Sequence, residues 1–469
     1  MAIDGLIKSI QNIMRKDEGV AGDGQRIEQI VWMLFLKLSD DQERELELID
    51  PNYRSPIPEP LRWRNWAADP EGITGDELLD FINNKLFPGL KKLGVSADDR
   101  RGLLLRAAFE DAYSYMKSGT LIRQVANQIN EVDFNRTGDR HLLNDVYEKL
   151  LKDLQGAGNY GEFYTPRPLT QFVVDIIDPK LGERILDPAC GTGGFLVNAI
   201  EHMRMSVKTK ADEKKLHDAV RGVEIKSLPH LLATTNMMLH GIEVPDNIRR
   251  DDMLARPLIE YGPKDRVDVI IANPPFGASV KDGTEKNFPS DLRTKDTALL
   301  FLILFIHLLK PNGRAGVVLP DGVLFGEGVA SRIKEKLLAE CNVHTIVRLP
   351  QGVFSPYAGV NTNLVFFEKG KPTEEIWYYQ MQLPEGMRQY TKGRPITHPE
   401  FEPVKKWWQK RTEDENTWKV SIEQIRERGY NLDFKNPHFN GMDRQLTVEE
   451  IKGKIFNLEA SIQAIIKDL

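Results

Sequence analysis

Cysteine is nearly absent from the sequence: Cys190 and Cys341 are the only two in 469 residues. They stand far apart, which excludes a disulfide framework and a Cys-rich zinc site. A surplus of positive charge is also missing. The chain carries 63 Lys and Arg against 69 Asp and Glu, a net charge of -6. A protein that grips nucleic acid unaided usually shows a basic balance. Any such role here needs a local basic face or a partner that supplies one. The start, Met1-Ala2-Ile3-Asp4-Gly5, lacks the apolar region of a signal peptide. The longest apolar run, Ala298 to Leu309, is too short to span a bilayer and contains His307. It reads as a fully buried helix. The expectation is a cytoplasmic protein with no membrane partner. Hydrophobic content of 41% and charged content of 28% describe an ordinary globular chain, long enough for two or three domains.

Residues 1–150 read as a helical domain. Leu6, Ile10 and Met14 share one face, and Ile27, Ile30, Val31, Leu34, Leu36 and Leu38 line a second helix. Helical patterns resume at Leu78 to Ile82 and from Leu103 to Met116. Gly156-Ala157-Gly158-Asn159 breaks the pattern. From there, over residues 151–370, strands and helices alternate. Strands are expected at Arg184–Asp187, Gly222–Ile225, Val267–Ala272, Ala315–Leu319, Val343–Leu349 and Asn363–Phe367. Helices are expected at Gly194–Met203, Leu231–Leu239 and Ala298–Leu309. Such alternation calls for a parallel, doubly wound sheet. Residues 371–469 read as a polar, irregular extension up to a helix over 447–469. Thr447-Val448-Glu449-Glu450 has the capping-box form. Val448, Ile451, Ile455, Leu458, Ile462, Ile465 and Leu469 then make a heptad seam that must pack, either on its own chain or on a partner's helices.

Chemistry concentrates at Asn273-Pro274-Pro275-Phe276, directly after the apolar run 267–272. Open α/β sheets place ligand sites at such strand ends. The prolines stiffen the backbone and leave only carbonyls to offer. An amide oxygen, a rigid carbonyl and an aromatic face suit a planar amino-bearing group. A proline-stiffened turn with a core Phe is the plain alternative. Asp187 to Phe195 also follows a strand and opens a helix. Its glycines allow a tight turn and close approach to a ligand. Leu196 stands where a dinucleotide loop has its third glycine, and no Gly-Lys-Ser/Thr ends the run, so dehydrogenase and phosphate-loop readings are disfavoured. Glu224 ends the next strand and can accept bonds from ribose hydroxyls. Asp252 follows at the next strand end. Either acid alone could be a solvated loop carboxylate.

Gly161-Glu162-Phe163-Tyr164-Thr165-Pro166-Arg167, then Asp187 to Phe195, then Asn273 to Phe276, resemble the S-adenosylmethionine-dependent N6-adenine DNA methyltransferases in their gamma motif order. The helical N-terminal region and Arg428-Gly429-Tyr430-Asn431-Leu432 extend the resemblance. Over nearly its whole length the chain is similar to the modification subunit of type I restriction-modification systems. The resemblance implies a Rossmann-like methyltransferase domain with a doubly wound mixed sheet, an N-terminal all-α domain and a C-terminal helical tail. It implies S-adenosyl-L-methionine as cofactor. Glu162, Phe163, Tyr164, Thr165, Pro166 and Arg167 would line its pocket. Ala189, Gly191, Thr192, Gly193 and Gly194 would form the loop beside its methionine part, the last three through backbone N–H groups. Asp187 would bond the amino group, Glu224 the ribose and Asp252 the adenine. Asn273, Pro274, Pro275 and Phe276 would be catalytic, with Phe354 a candidate for the other face of the target base. No metal is called for. The implied partners are DNA, a specificity subunit, a second copy in a complex of two modification subunits with one specificity subunit, and a restriction subunit.

Alternatives remain at this level. Protein-glutamine methyltransferases also use Asn-Pro-Pro-aromatic, because a glutamine amide poses the same problem. A non-catalytic DNA-binding scaffold could keep the fold. Lys405-Lys406-Trp407-Trp408-Gln409-Lys410-Arg411 could touch phosphates or be a solvated amphipathic segment.

Overall fold

A computed structural model describes residues 3–131, 147, 164–355 and 359–438. Glu162, Phe163, the 150/151 boundary and the 447–469 seam lie outside the described residues.

The N-terminal region is helical. It comprises α1 (Ile3–Met14), α2 (Asp23–Ile49), α3 (Trp63–Trp66), α4 (Gly75–Phe81), α5 (Phe87–Lys91), α6 (Arg100–Phe109) and α7 (Gly119–Asn130). Ile27, Ile30, Val31, Leu34, Leu36 and Leu38 of α2 are all buried in one core with α1, α4 and α7. The helix expected over 103–116 stops at Phe109. The chain beyond is extended because its polar backbone finds partners elsewhere. Gln29 bonds the Tyr113 carbonyl and the Tyr115 N–H, and Asp17 accepts from the N–H groups of Lys117 and Ser118.

The second region is built on a sheet whose nine strands among the described residues run in the order β3-β2-β1-β4-β5-β7-β6-β8-β9. They are β1 (Ile185–Asp187), β2 (Val220–Glu224), β3 (Ile248–Arg250), β4 (Val267–Ala272), β5 (Leu309–Pro320), β6 (Cys341–Arg348), β7 (Thr362–Lys369), β8 (Glu375–Gln380) and β9 (Thr417–Ser421). The sheet is mixed, as the resemblance implies, where the strand–helix alternation alone calls for a parallel one. β3, β2, β1, β4 and β5 are parallel, but β7 enters antiparallel between β5 and β6. A strand returning directly beside its neighbour must reverse direction. The sheet also continues past Gly370, through a region read as irregular. β8 pairs parallel to β6, and β9 pairs antiparallel to β8.

Helices α8 (Arg167–Ile177), α9 (Gly194–Arg204), α10 (Lys210–Ala219), α11 (Ser227–Leu239), α12 (Thr297–Leu308), α13 (Asp321–Phe325), α14 (Val329–Glu340), α15 (Glu402–Gln409) and α16 (Ile422–Glu427) complete the order. The sheet is covered on both faces. Val269 and Ile271 of β4 pack with α8 and α9, while Ile270 and Ala272 pack with α12 and α14. That alternation is the two-residue period of a buried strand. Gly222 lets α9 sit close on β2: a Cβ there would lie 2.8 Å from Leu196 Cδ1. The apolar run becomes α12, capped by Asp296, which accepts from the Leu299 N–H at 3.1 Å.

Helix α11 belongs to both regions. Every residue from Leu228 to Leu239 is buried. Ala233 and Met237 pack with the sheet core, whereas Leu228, Leu231, Leu232, Met238 and Leu239 join the helical core. The Tyr147 hydroxyl donates to the Leu232 carbonyl at 2.7 Å. Lys405 to Arg411 is amphipathic, with Lys406, Gln409 and Lys410 exposed. Trp407 and Trp408 pack on the sheet side, Lys405 pairs with Asp175, and the Arg411 guanidinium lies 4.5 Å over the Trp408 ring.

Candidate active site

The carboxyl ends of β1, β2, β3 and β4 lie side by side, and the predicted site residues gather there. Asp187 ends β1 and is 1% exposed. Burial, with Glu224 adding repulsion, pushes its carboxyl up to about 8. Its Oδ1 accepts from the Ala189 N–H at 3.2 Å. The loop then turns through Gly191 (φ 53°) and Gly193 (φ 79°), both in the left-handed region that favours glycine. A Cβ on Gly193 would also come within 3.1 Å of Met237 Cε.

One detail of the loop differs from expectation. The Gly193 N–H is engaged by the Cys190 carbonyl at 2.8 Å, closing the turn, so it is not presented to a ligand. The loop is braced from outside. Asn236 Nδ2 donates to the Thr192 carbonyl at 3.0 Å and Arg167 Nη1 to the Gly194 carbonyl at 2.8 Å. Asn236 escaped the sequence reading because it sits mid-helix with no motif around it.

Glu224, at the end of β2, is held by two backbone donors, Gly191 N–H at 3.1 Å and Lys226 N–H at 2.8 Å. Burial raises its pKa against those bonds. Ile225 follows it with about half of its surface exposed, an apolar platform at the same strand end that sequence reasoning passed over. Asp252 lies just past β3. Its Oδ1 accepts from the Leu254 N–H at 2.9 Å, and the preceding Asp251 N–H donates to the Glu224 carbonyl.

Asn273 follows β4 directly. Its Nδ2 donates to Thr165 Oγ1 at 3.0 Å, which joins the Tyr164-Thr165-Pro166 stretch to the strand end. Tyr164 and Pro166 are buried, and so is Pro274, while Pro275 is exposed. Asn273 Oδ1 is buried with no hydrogen-bond partner among the described residues. Such a group costs free energy unless something binds it. Phe276 is half-buried, and the Phe354 ring meets it edge-on, with centroids 5.9 Å apart and planes at 85°. The two rings therefore do not form a parallel slot. On the far side of β5, Lys334 is buried and donates to the Leu324 and Gly326 carbonyls, leaving Phe325 half-exposed.

The N-6 DNA Methylase family matches residues 138–444, and the HsdM N-terminal domain family matches residues 3–129. The EcoEI type I restriction enzyme methylase subunit of Escherichia coli is 55% identical over 447 residues, covering 93% of this chain and 91% of that protein. The chain belongs to the type I restriction-modification methylase subunits. The EcoKI methylase subunit of Escherichia coli K12 is a more distant member, 28% identical over 83% of this chain and 72% of its own length. Solved methylase folds agree. A modification subunit of a putative type I restriction enzyme from Vibrio vulnificus superposes with a TM-score of 0.83 at 44% identity, covering 93% of this chain and 97% of that one. A chain from a structural study of complex assembly in a type I system gives 0.85 at 36% identity, covering 99% and 97%. The methylase subunit is thus an adenine-N6 DNA methyltransferase with a helical N-terminal domain. Among the described residues no helix is long and apolar enough to cross a membrane, and no group of three or more His, Cys, Asp or Glu is placed to hold a metal ion.

Proposed function

We propose that the strand-end cleft binds S-adenosyl-L-methionine and methylates N6 of an adenine turned out of the duplex. The observation that carries this reading is the buried, unpartnered Asn273 Oδ1, oriented by Thr165 and followed by the two prolines. The remaining residues fit the cofactor. Asp187 is a buried carboxyl with no cation against it among the described residues, which suits an ammonium group. Glu224 keeps lone pairs for a ribose beyond its two backbone donors, and Ile225 and Asp252 flank the place of the adenine. The loop from Ala189 through Gly194 would take the methionine part, with Tyr164, Thr165, Pro166 and Arg167 joining it; Arg167 and the Thr165 carbonyl lie against Gly194. Glu162 and Phe163, which precede Tyr164 in sequence, lie outside the described residues.

When bound, the cofactor supplies an electrophilic methyl group. The protein's task is to present the amine. An adenine amino nitrogen is a weak nucleophile because its lone pair is delocalised into the ring. Asn273 Oδ1 accepts one of its N–H bonds and the Pro274 carbonyl the other. Those bonds favour a pyramidal nitrogen whose lone pair points at the methyl. This is positioning and electrostatic stabilisation in a dry site. Asn273 does not act as a base, since an amide has no pKa near neutrality. Phe276 stacks on the base once it leaves the duplex.

The chain works as the modification subunit of a larger assembly that includes a specificity subunit, a second copy of itself and a restriction subunit. Its acidic net charge supports delegated sequence reading. The 447–469 seam is the candidate for docking on a partner's helices. The test is tritiated-methyl transfer by the reconstituted complex to DNA, together with methylome sequencing of a host with and without this chain. Label in N6-methyladenine at one sequence is expected. Label confined to protein glutamine would replace this reading.

A further inference from the structure

The short strand β3 is fastened to the helical domain at both ends. At its start, Arg100 forks through Nε and Nη2 onto the two carboxyl oxygens of Asp246. At its end, Arg250 lies opposite Glu224 in the strand ladder. The Arg250 guanidinium leaves the sheet. Its Nη1 is 3.1 Å from Glu110 Oε2, and its Nη2 pairs with Asp111. Both acids stand where α6 gives way to the extended segment, and that segment is held in turn by Gln29 and Asp17. The last ordered turn before the adenine end of the cleft is therefore pinned by a strap from the other domain. Nothing in the methyl-transfer chemistry uses Arg250.

We infer that Arg250 is a positioning residue for the adenosine half of the cofactor pocket, through which Glu110 and Asp111 of the helical domain set cofactor affinity. The inference rests on the assignment of Glu224 and Asp252 to the adenosine. Arg250 holds the end of β3 in place, so that the Asp251 N–H stays on the Glu224 carbonyl and Asp252 stays beside it. Releasing the strap lets this end of the strand drift. Because the reacting atoms lie at the end of β4, the effect falls on binding and leaves the rate at saturating cofactor alone. The acids are exposed, Glu110 at 68% and Asp111 at 49%, so the effect is modest.

The test is calorimetric titration of the full-length chain with S-adenosylmethionine, with kcat measured in the assembled complex. Arg250→Ala should weaken binding about threefold and Arg250→Glu about tenfold, with kcat unchanged. Adding Glu110→Arg and Asp111→Arg to Arg250→Glu should restore wild-type affinity. Arg100→Ala removes the bridge at the far end of β3 and should leave affinity unchanged. Wild-type affinity in Arg250→Glu would overturn the inference. So would an equal loss in Arg100→Ala, which would mark a general loosening of the interface, or a failure of the charge reversal to rescue. A wild-type chain that binds no S-adenosylmethionine would overturn the cofactor reading itself and this inference with it.

Discussion

At the carboxyl ends of β1 and β4, the groups nearest the proposed chemistry come from compact stretches, Asp187 to Gly194 and Asn273 to Phe276. Thr165, Asn236 and Arg167 are the outside contributions. At the ends of β2 and β3, the same cleft is assembled from distant parts. Glu224 is tethered by the glycine loop, α11 packs into the helical core, and Arg250 reaches acids 140 positions away. One half is a set of local motifs held by backbone geometry. The other is a product of how two domains meet. Under the proposed reading, the groups at the end of β4 act on the rate, whereas Asp187 and the ends of β2 and β3 act on cofactor affinity, so substitutions in the two sets should read out in different observables.

The sharpest way to break that comparison is Asn273→Ala. Methyl transfer should fall about a thousandfold, the scale of losing one preorganised polar group at a reacting centre, while calorimetry shows unchanged cofactor affinity. A wild-type rate in the tritiated-methyl assay would collapse the distinction. Next in size is Asp187→Asn. Losing a buried charge partner should weaken cofactor binding roughly a hundredfold.

Stability should move the other way. A carboxyl raised to about 8 in the folded chain has an unfolded value of about 4. Its protonated form therefore favours the fold at low pH, and that advantage is lost as pH rises toward 8. Thermal unfolding of cofactor-free Asp187→Asn should match wild type near pH 4 and exceed it by a few degrees at pH 8. In wild type, a bound ammonium must expel the Asp187 proton, so affinity should drop from pH 8 to pH 6. A flat profile would remove Asp187 from the pocket.

Phe276→Ala comes third. Base capture should weaken about tenfold, the worth of one stacked base, with cofactor affinity intact. An unchanged fluorescence signal from 2-aminopurine at the target position would contradict it. Thr165→Val is the smallest, a loss of about threefold in kcat from one neutral hydrogen bond. A larger effect on affinity than on kcat would assign Thr165 to the cofactor side of the divide.

Legibility in the sequence follows the same line. The β-branched run Val267–Ala272 and its prolines announce β4 and its rigid end, because strand, stop and side chains are contiguous. The glycine loop is legible for the same reason. Arg250 is not, since a surface arginine beside two aspartates carries no sign of the acids it meets across a domain boundary. β8 was hidden too. Its Trp377, Tyr378 and Tyr379 follow charged residues, and the strand forms only by pairing with β6 and with β9, which lies about 40 positions further on. Of the two readings of Lys405–Arg411, the amphipathic one holds. Composition shows its charges, whereas the fold turns its tryptophans inward and lays Arg411 across one of them. The helical reading of 110–116 failed because hydrogen bonds from Gln29 and Asp17 outweigh a favourable local pattern.

Helix α11 has one face in each core. The boundary between the regions therefore lies along a helix surface in space and matches no single point in the chain. A chimera made by joining the first 150 residues of one relative to the remainder of another would inherit α11 from the second parent and its packing partners from the first. Leu228, Leu231, Leu232, Met238 and Leu239 would then face side chains they were not selected with. The unit of exchange is the helical region together with residues 227–239, and the recombination points that respect it fall on both sides of α11.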